Sequence, residues 1–190
     1  MCGIFAILNS GKLTKDINDY FRSCFMYGQK RGPEFSCFNP YNNYVLGFHR
    51  LAINGYNDAN SNQPLIKKNL KLICNGEIYN YKQLYKILNI VPDTLSDCEV
   101  ILYLYKKFGI KQTLQLLDGV FAFVLIDHAK KKVIVARDTY GVRPLFKMKK
   151  MSEYSDSIQY IFASELKQMP YIENRTDKLD YTVKQFPPGT

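Results

Sequence analysis

At 190 residues, with 46% hydrophobic, 14% aromatic and 23% charged positions, the chain has the composition of one globular domain, not of a disordered or fibrous protein. No apolar stretch is long enough to cross a bilayer, and the first one, Ile4 to Leu8, is too short and lacks the basic flank of a secretory signal. The formal charge of +9 falls in short lysine clusters (Lys67, Lys68, Lys71; Lys130 to Lys132; Lys147, Lys149, Lys150) without regularly interleaved aromatics. A solvated surface is therefore expected, not a nucleic-acid track or a membrane face, although the positive field favours an acidic partner or anionic substrate.

In chain order, Gly3 to Leu8 reads as a buried strand, apolar and bounded by Asn9, Ser10 and Gly11. From Lys15 to Lys30 the apolar positions Ile17, Tyr20, Phe21, Cys24, Phe25 and Gly28 recur at three and four, which predicts a helix broken by Arg31, Gly32 and Pro33. Strands are expected at Phe35 to Phe38 and Tyr44 to Leu51, then a polar loop from Asn54 to Asn62, then a strand from Leu70 to Cys74. That strand runs into Asn75 and Gly76, a strong turn pair because both tolerate positive φ. Tyr81 to Leu88 has helical spacing. Ser96 to Glu99 has the form of a capping box before a helix with Val100, Ile101, Leu104 and Phe108 on one face, ended by Gly109 and followed by a short helix from Ile110 to Leu117. Gly119 to Ile126 and Lys132 to Arg137 predict a hairpin, with further strands at Pro144 to Met148 and Ser157 to Ala163, and a short helix at Ser164 to Gln168. Many short strands, few helices and no regular βαβ alternation predict an α+β fold of antiparallel sheets covered by helices.

Five cysteines, Cys2, Cys24, Cys37, Cys74 and Cys98, form an odd set without a CxxC pair, which argues against a disulfide scaffold and a cysteine zinc site. The two histidines, His49 and His128, have no helical partner, so packing or surface roles are expected and metal: none. The position of Cys2 is different. With Met1 removed, it carries a thiol and a free α-amine, which titrate at about 8.5 and about 7.7–8.0, so the amine can take the thiol proton directly or through one water. The alternative is a small buried hydrophobe. Asn75 and Gly76 could give a side-chain and a backbone N–H to an oxyanion, or form a plain hairpin turn. Arg50, ending its strand, has the planar fork that pairs with a carboxylate, or it is a surface arginine. Asp97, at a helix start, could accept a substrate ammonium or simply complement the helix dipole.

Taken in order, Met1-Cys2-Gly3-Ile4, Arg31-Gly32-Pro33-Glu34, Phe48-His49-Arg50-Leu51-Ala52-Ile53, Gln63-Pro64-Leu65, Asn75-Gly76-Glu77-Ile78-Tyr79-Asn80 and Leu117-Asp118-Gly119-Val120-Phe121-Ala122-Phe123 resemble one known pattern, continued by Arg137-Asp138-Thr139-Tyr140-Gly141-Val142-Arg143-Pro144-Leu145-Phe146 and Ser164-Glu165-Leu166-Lys167. It is that of the glutaminase, or class II glutamine amidotransferase, domain of the glutamine-hydrolysing asparagine synthetase family. The resemblance covers nearly the whole chain. It implies an N-terminal-nucleophile hydrolase αββα sandwich, two stacked antiparallel sheets between helical layers. It also implies hydrolysis of L-glutamine to L-glutamate and ammonia through a Cys2 thioester, with the Cys2 amine as base and Asn75 and Gly76 at the oxyanion. Arg50 would hold the substrate carboxylate, Asp97 with Gly76 and Glu77 the α-ammonium, and the backbone of Leu51 and Ile53 would line the pocket.

Two departures from the family pattern are Asn54-Gly55, where an apolar-acidic pair is usual, and Glu34 in place of aspartate. No Ser-Gly-Gly-x-Asp-Ser run is found, so no cofactor is expected in this chain; ATP and Mg are expected only for a synthetase domain, in cis or in trans, that would use the ammonia for asparagine. Residues 1–170 are expected to be the amidotransferase domain, and 171–190 a C-terminal tail or the start of a linker. A cytoplasmic setting is expected, and a homo-oligomer is left open. An N-terminal-nucleophile amide hydrolase with another substrate, and a catalytically silent regulatory or assembly module, are the alternatives.

Overall fold

The computed structural model describes residues 1–151, 158–170 and 181–190. The chain forms two compact units, one of residues 2–51 and 144–186, the other of residues 52–143 and 187–190 together with Met1.

In the first unit, β1 (Gly3–Leu8) lies inside a six-stranded antiparallel sheet. Its neighbours are β3 (Tyr44–Arg50), itself paired with β2 (Phe35–Pro40), and β9 (Ile158–Ala163), itself paired with β8 (Phe146–Met151). All six residues of β1 are buried, which is why its sequence is an unbroken apolar run and not an alternation. Helix α1 (Lys15–Met26) is capped by Thr14, whose hydroxyl accepts from the Ile17 N–H, and turns Phe21, Cys24 and Phe25 onto a core with Phe5, Ile7, Phe38, Val45, Met148 and Ile161. The helix ends at Met26, earlier than the periodicity predicts, and Gln29–Arg31 continues as a single 3₁₀ turn.

Of the expected tail, residues 171–180 lie outside the described residues. Tyr181–Gln185 is a strand, β10, paired antiparallel with β8 from Tyr181 opposite Lys150 to Gln185 opposite Phe146. The strand expected from Ser157 begins at Ile158, Ser157 itself lying outside the described residues.

The second unit is built on a four-stranded antiparallel sheet in the order β4 (Leu65–Lys67), β5 (Leu70–Ile78), β6 (Gly119–Asp127), β7 (Lys132–Arg137). One face packs on α2 (Tyr81–Leu88) and α3 (Val100–Leu116), burying Leu72, Cys74, Ile78, Leu84, Ile101, Leu104, Phe121, Phe123 and Leu125. The chain leaves helical geometry inside α3 at Gly109 (φ 76°, ψ 175°), where the sequence reading ends one helix and starts another. The β6–β7 hairpin forms as expected, its turn held by the Asp127 carboxylate, which accepts from the Lys130 N–H at 3.0 Å and the Tyr105 hydroxyl at 2.8 Å.

Two local signals are overruled. Asn75-Gly76 is not a turn: β5 continues through it to Ile78, with Asn75 opposite Ala122 and Gly76 opposite Phe121. The nine-residue ladder with β6 outweighs the turn preference, and Gly76 is needed for closeness, since a Cβ there would lie 2.8 Å from both the Phe121 Cβ and the Val120 carbonyl oxygen. The Ser96–Glu99 capping box also does not form. Ser96 makes no side-chain cap, and Asp97–Glu99 is a 3₁₀ turn. The buried Glu99 carboxylate instead accepts from the N–H groups of Asp93 and Thr94 and from the hydroxyls of Thr94 and Tyr103.

Candidate active site

In the first unit the site begins at the end of the central strand. Cys2 directly precedes β1, and its thiol is clasped by the chain leaving β3: Sγ donates to the Leu51 carbonyl at 3.3 Å, and the Leu51 N–H approaches Sγ at 3.5 Å. The Cys2 carbonyl accepts from Arg31 Nε at 3.0 Å. Ser164 extends the other side of the strand, its hydroxyl accepting from the Ile4 N–H at 2.9 Å and its own N–H donating to the Ile4 carbonyl at 3.0 Å. The nucleophile candidate is therefore fixed from both flanking strands.

Arg50 is buried at the last position of β3, opposite Phe35. Gly32 lies directly on this strand end. A Cβ at Gly32 would sit 2.4 Å from the His49 carbonyl carbon and 2.5 Å from the Arg50 backbone, so Arg31-Gly32-Pro33 can lie against β3 only without a side chain at its centre. Pro33 bridges to Arg50 and the Glu34 N–H donates to the Arg50 carbonyl at 3.2 Å. His49, fully buried, stacks on Phe25 with ring centroids 3.8 Å apart. Its Nε2 lies 3.0 Å from the Phe25 carbonyl, which can only accept, so Nε2 carries the proton and Nδ1 accepts from the Ser36 hydroxyl at 2.7 Å. Burial holds its pKa below the usual histidine value. It packs in the core of its unit, as one of the expected readings has it.

In the second unit the candidate residues gather on one edge of β5. Backbone N–H and C=O groups of one strand residue point the same way and alternate along the strand. Cys74 turns both groups away from β6, to the Gln63 side chain, and Ile78 turns its N–H the same way, to Asp97 Oδ2 at 2.6 Å. Gly76, midway between them, therefore also directs its N–H to this edge. On Asn75, between Cys74 and Gly76, the side-chain Nδ2 is buried and has no hydrogen-bond partner among the described residues. An amide donor in that state is costly unless something else uses it.

Asp97 is 6% exposed, and its side chain is also hydrogen-bonded by Asn54. Burial raises its pKa, against the lowering effect of the Ile78 N–H and Asn54, while Glu77 nearby raises it further. Asn54, a departure from the expected pattern, thus serves Asp97. Ile53 is 55% exposed and Glu77 half-buried.

A family model described as glutamine amidotransferase domain matches residues 1–185. The chain belongs to that family. This amidotransferase domain is 46% identical over 156 residues to "Asparagine synthetase [glutamine-hydrolyzing]" of Gallus gallus, covering 78% of this chain and 26% of the relative. It is also 46% identical over 153 residues to the protein of the same name from Homo sapiens, 77% of this chain and 26% of that one, and 45% identical over 153 residues to that of Rattus norvegicus, at the same coverage. The chain spans about a quarter of the length of the curated relatives it matches.

Within this amidotransferase domain, Cys2, Leu51 and Arg50 share one strand end, and Asn75, Gly76, Glu77 and Asp97 share one sheet edge. The sequence reading gave no role to Arg31 or Gln63, although both stand in the quoted motifs. Arg31 was legible only as a helix breaker's neighbour, and a buried Gln bonded to backbone has no signature in spacing. The buried Asp138 carboxylate accepts from the N–H groups of Phe121, Tyr140, Val142 and Arg143, closing the loop after β7. Among the described residues, no group of three or more His, Cys, Asp or Glu could hold a metal ion, and no helix is long and apolar enough to cross a membrane.

Proposed function

We propose that this domain hydrolyses L-glutamine to L-glutamate and ammonia, with Cys2 as nucleophile after Met1 is removed. The observation that carries the reading is the buried Asn75 Nδ2, which has no hydrogen-bond partner among the described residues, beside the edge-directed N–H of Gly76. The Cys2 amine takes the thiol proton, and the thiolate attacks the side-chain amide carbon. Asn75 and Gly76 stabilise the tetrahedral oxyanion. The C–N bond breaks as the ammonium proton passes to the leaving nitrogen, ammonia departs, and water hydrolyses the thioester to glutamate. As the resemblance implies, Arg50 binds the α-carboxylate and Asp97 the α-ammonium, and the backbone of Leu51 and Ile53 and the Glu77 region are further substrate contacts.

Met1 is 50% exposed, within reach of an aminopeptidase, and cysteine is small enough as a second residue to permit its removal. The names of the relatives support a synthetase domain, in cis or in trans, as consumer of the ammonia; ATP and Mg belong to that chemistry and to none of the steps here. A cytoplasmic setting suits five free thiols.

The test is intact mass after exposure to a glutamine-like electrophile, with glutamate release measured in parallel. One adduct on Met1-free protein, absent in Cys2→Ala, is expected. Burial pushes the Cys24 and Cys37 thiols up, and Cys74 and Cys98 are buried, so their labelling should be slow. Labelling of these four in place of Cys2 would refute the assignment, as would an adduct without glutamate release.

A further inference from the structure

We propose that Gln63 is a positioning residue that sets the oxyanion strand. The inference rests on the oxyanion role of Asn75 and Gly76 given above, and it starts from an incomplete sheet edge. Strand β4 covers only three residues of β5, with Leu65 opposite Leu72 and Lys67 opposite Leu70. Beyond Leu72 no strand among the described residues pairs with the outer edge of β5, yet Cys74 is buried there and its backbone groups need partners.

The Gln63 side chain supplies both. Its Nε2 donates to the Cys74 carbonyl at 3.0 Å and its Oε1 accepts from the Cys74 N–H in a short hydrogen bond. A primary amide can copy the donor and acceptor of a neighbouring strand residue at once, and does so without charge at any pH. Gln63 is itself 5% exposed, so these bonds are not exchanged with water. Two residues further along the same edge, the Asp97 carboxylate takes the Ile78 N–H. Side chains thus satisfy the edge on either side of Gly76, and with the Cys98 thiol at 3.9 Å from the Gly76 carbonyl it is the Gly76 N–H that is left to the substrate oxygen. Cys74 is the residue directly before Asn75, so the clamp fixes the backbone from which the Asn75 amide projects.

Misplacement of a catalytic group by about 1 Å can cost about 100-fold in rate. Glutamate release by the full 190-residue chain should therefore fall tenfold or more in kcat for Gln63→Met, which keeps side-chain length but has neither hydrogen-bonding group, while KM for glutamine stays within about twofold. Gln63→Glu retains the acceptor for the Cys74 N–H and regains a donor only when protonated. Its kcat relative to the parent chain should recover as pH is lowered, a response that a purely structural Gln63 would not give. Equal kcat for Gln63→Met and parent, or a loss confined to KM and melting temperature, with no pH recovery in Gln63→Glu, would overturn the proposal. Asn75→Ala measured alongside separates the two levels. If it is as active as the parent, the oxyanion reading itself fails; if it is inactive while Gln63→Met is not, only the positioning role fails.

Discussion

Replacing Asn75 by alanine separates the cost of holding a functional group from its use. The Asn75 Nδ2 is buried without a partner among the described residues, a state that costs roughly 1–3 kcal/mol of folding stability. Truncation relieves that cost but leaves a small hole beside buried Ile73 and Ala122, worth roughly the same with opposite sign. The net change in stability is therefore within about 1 kcal/mol, and the melting temperature of a chain this size moves by no more than about 4 °C. Catalysis has no such offset. Loss of one oxyanion donor costs about 100- to 1,000-fold in kcat, or about 2.7–4 kcal/mol of transition-state stabilisation. Glutamate release and thermal unfolding on the same preparation read both quantities. Activity within threefold of the parent would refute the argument, and so would a melting temperature lowered by 10 °C or more, because the lost rate would then report damage to the fold.

Asp97→Asn should raise KM for glutamine by tenfold or more with a smaller change in kcat, and in the parent chain KM should rise as pH falls through the raised pKa of Asp97, since a neutral carboxyl cannot pair with an ammonium; a flat KM across pH 4 to 7 would contradict this. His49 is held neutral with a lowered pKa, so its contribution to stability is complete above about pH 6.5 and is lost as pH falls toward the folded value. Urea unfolding of the parent against His49→Gln should show a difference that shrinks with acidity, and a difference independent of pH would refute it. Gly32→Ala should destabilise the fold by about 3 kcal/mol or more, because its Cβ meets backbone of His49 and Arg50 that cannot rotate away; an unchanged denaturation midpoint would show that the segment shifts freely.

The strands and helices that periodicity predicts are those whose burial is one-sided or complete, such as β1, α2 and the β6–β7 hairpin. Short-range signals misled where a distant partner outbid them. Asn75-Gly76 is a turn pair in isolation, and only the ladder with β6, more than forty positions along the chain, makes it a strand. Ser96 and Glu99 have capping spacing, but Glu99 bonds the loop at Asp93 and Thr94 instead. Strand β4 is three residues long and β10 is mostly exposed, so neither carries a pattern that could be read. Of the candidate site, Cys2, Arg50, Asn75, Gly76 and Asp97 were nameable in the sequence because residue type suggested a chemistry for each and the family resemblance assigned the roles. Gln63, Arg31 and Asn54 were not, because their work is to hold other groups in place, and that shows only in coordinates.

The flanking of β1 by β3 and β9 has a consequence in time. Phe5 of the strand pairs with Ala163, far along the chain, so the two are made at very different times. At about 5–20 residues per second, roughly 10–30 s separate the synthesis of these two residues. Throughout that interval the strand that follows Cys2 lacks its β9 partner along one edge. Met1 is still 50% exposed once the sheet has closed, so the interval adds an early opportunity for trimming to one that folding leaves open, and an untrimmed chain would complete the same sheet with the amine still locked in a peptide bond.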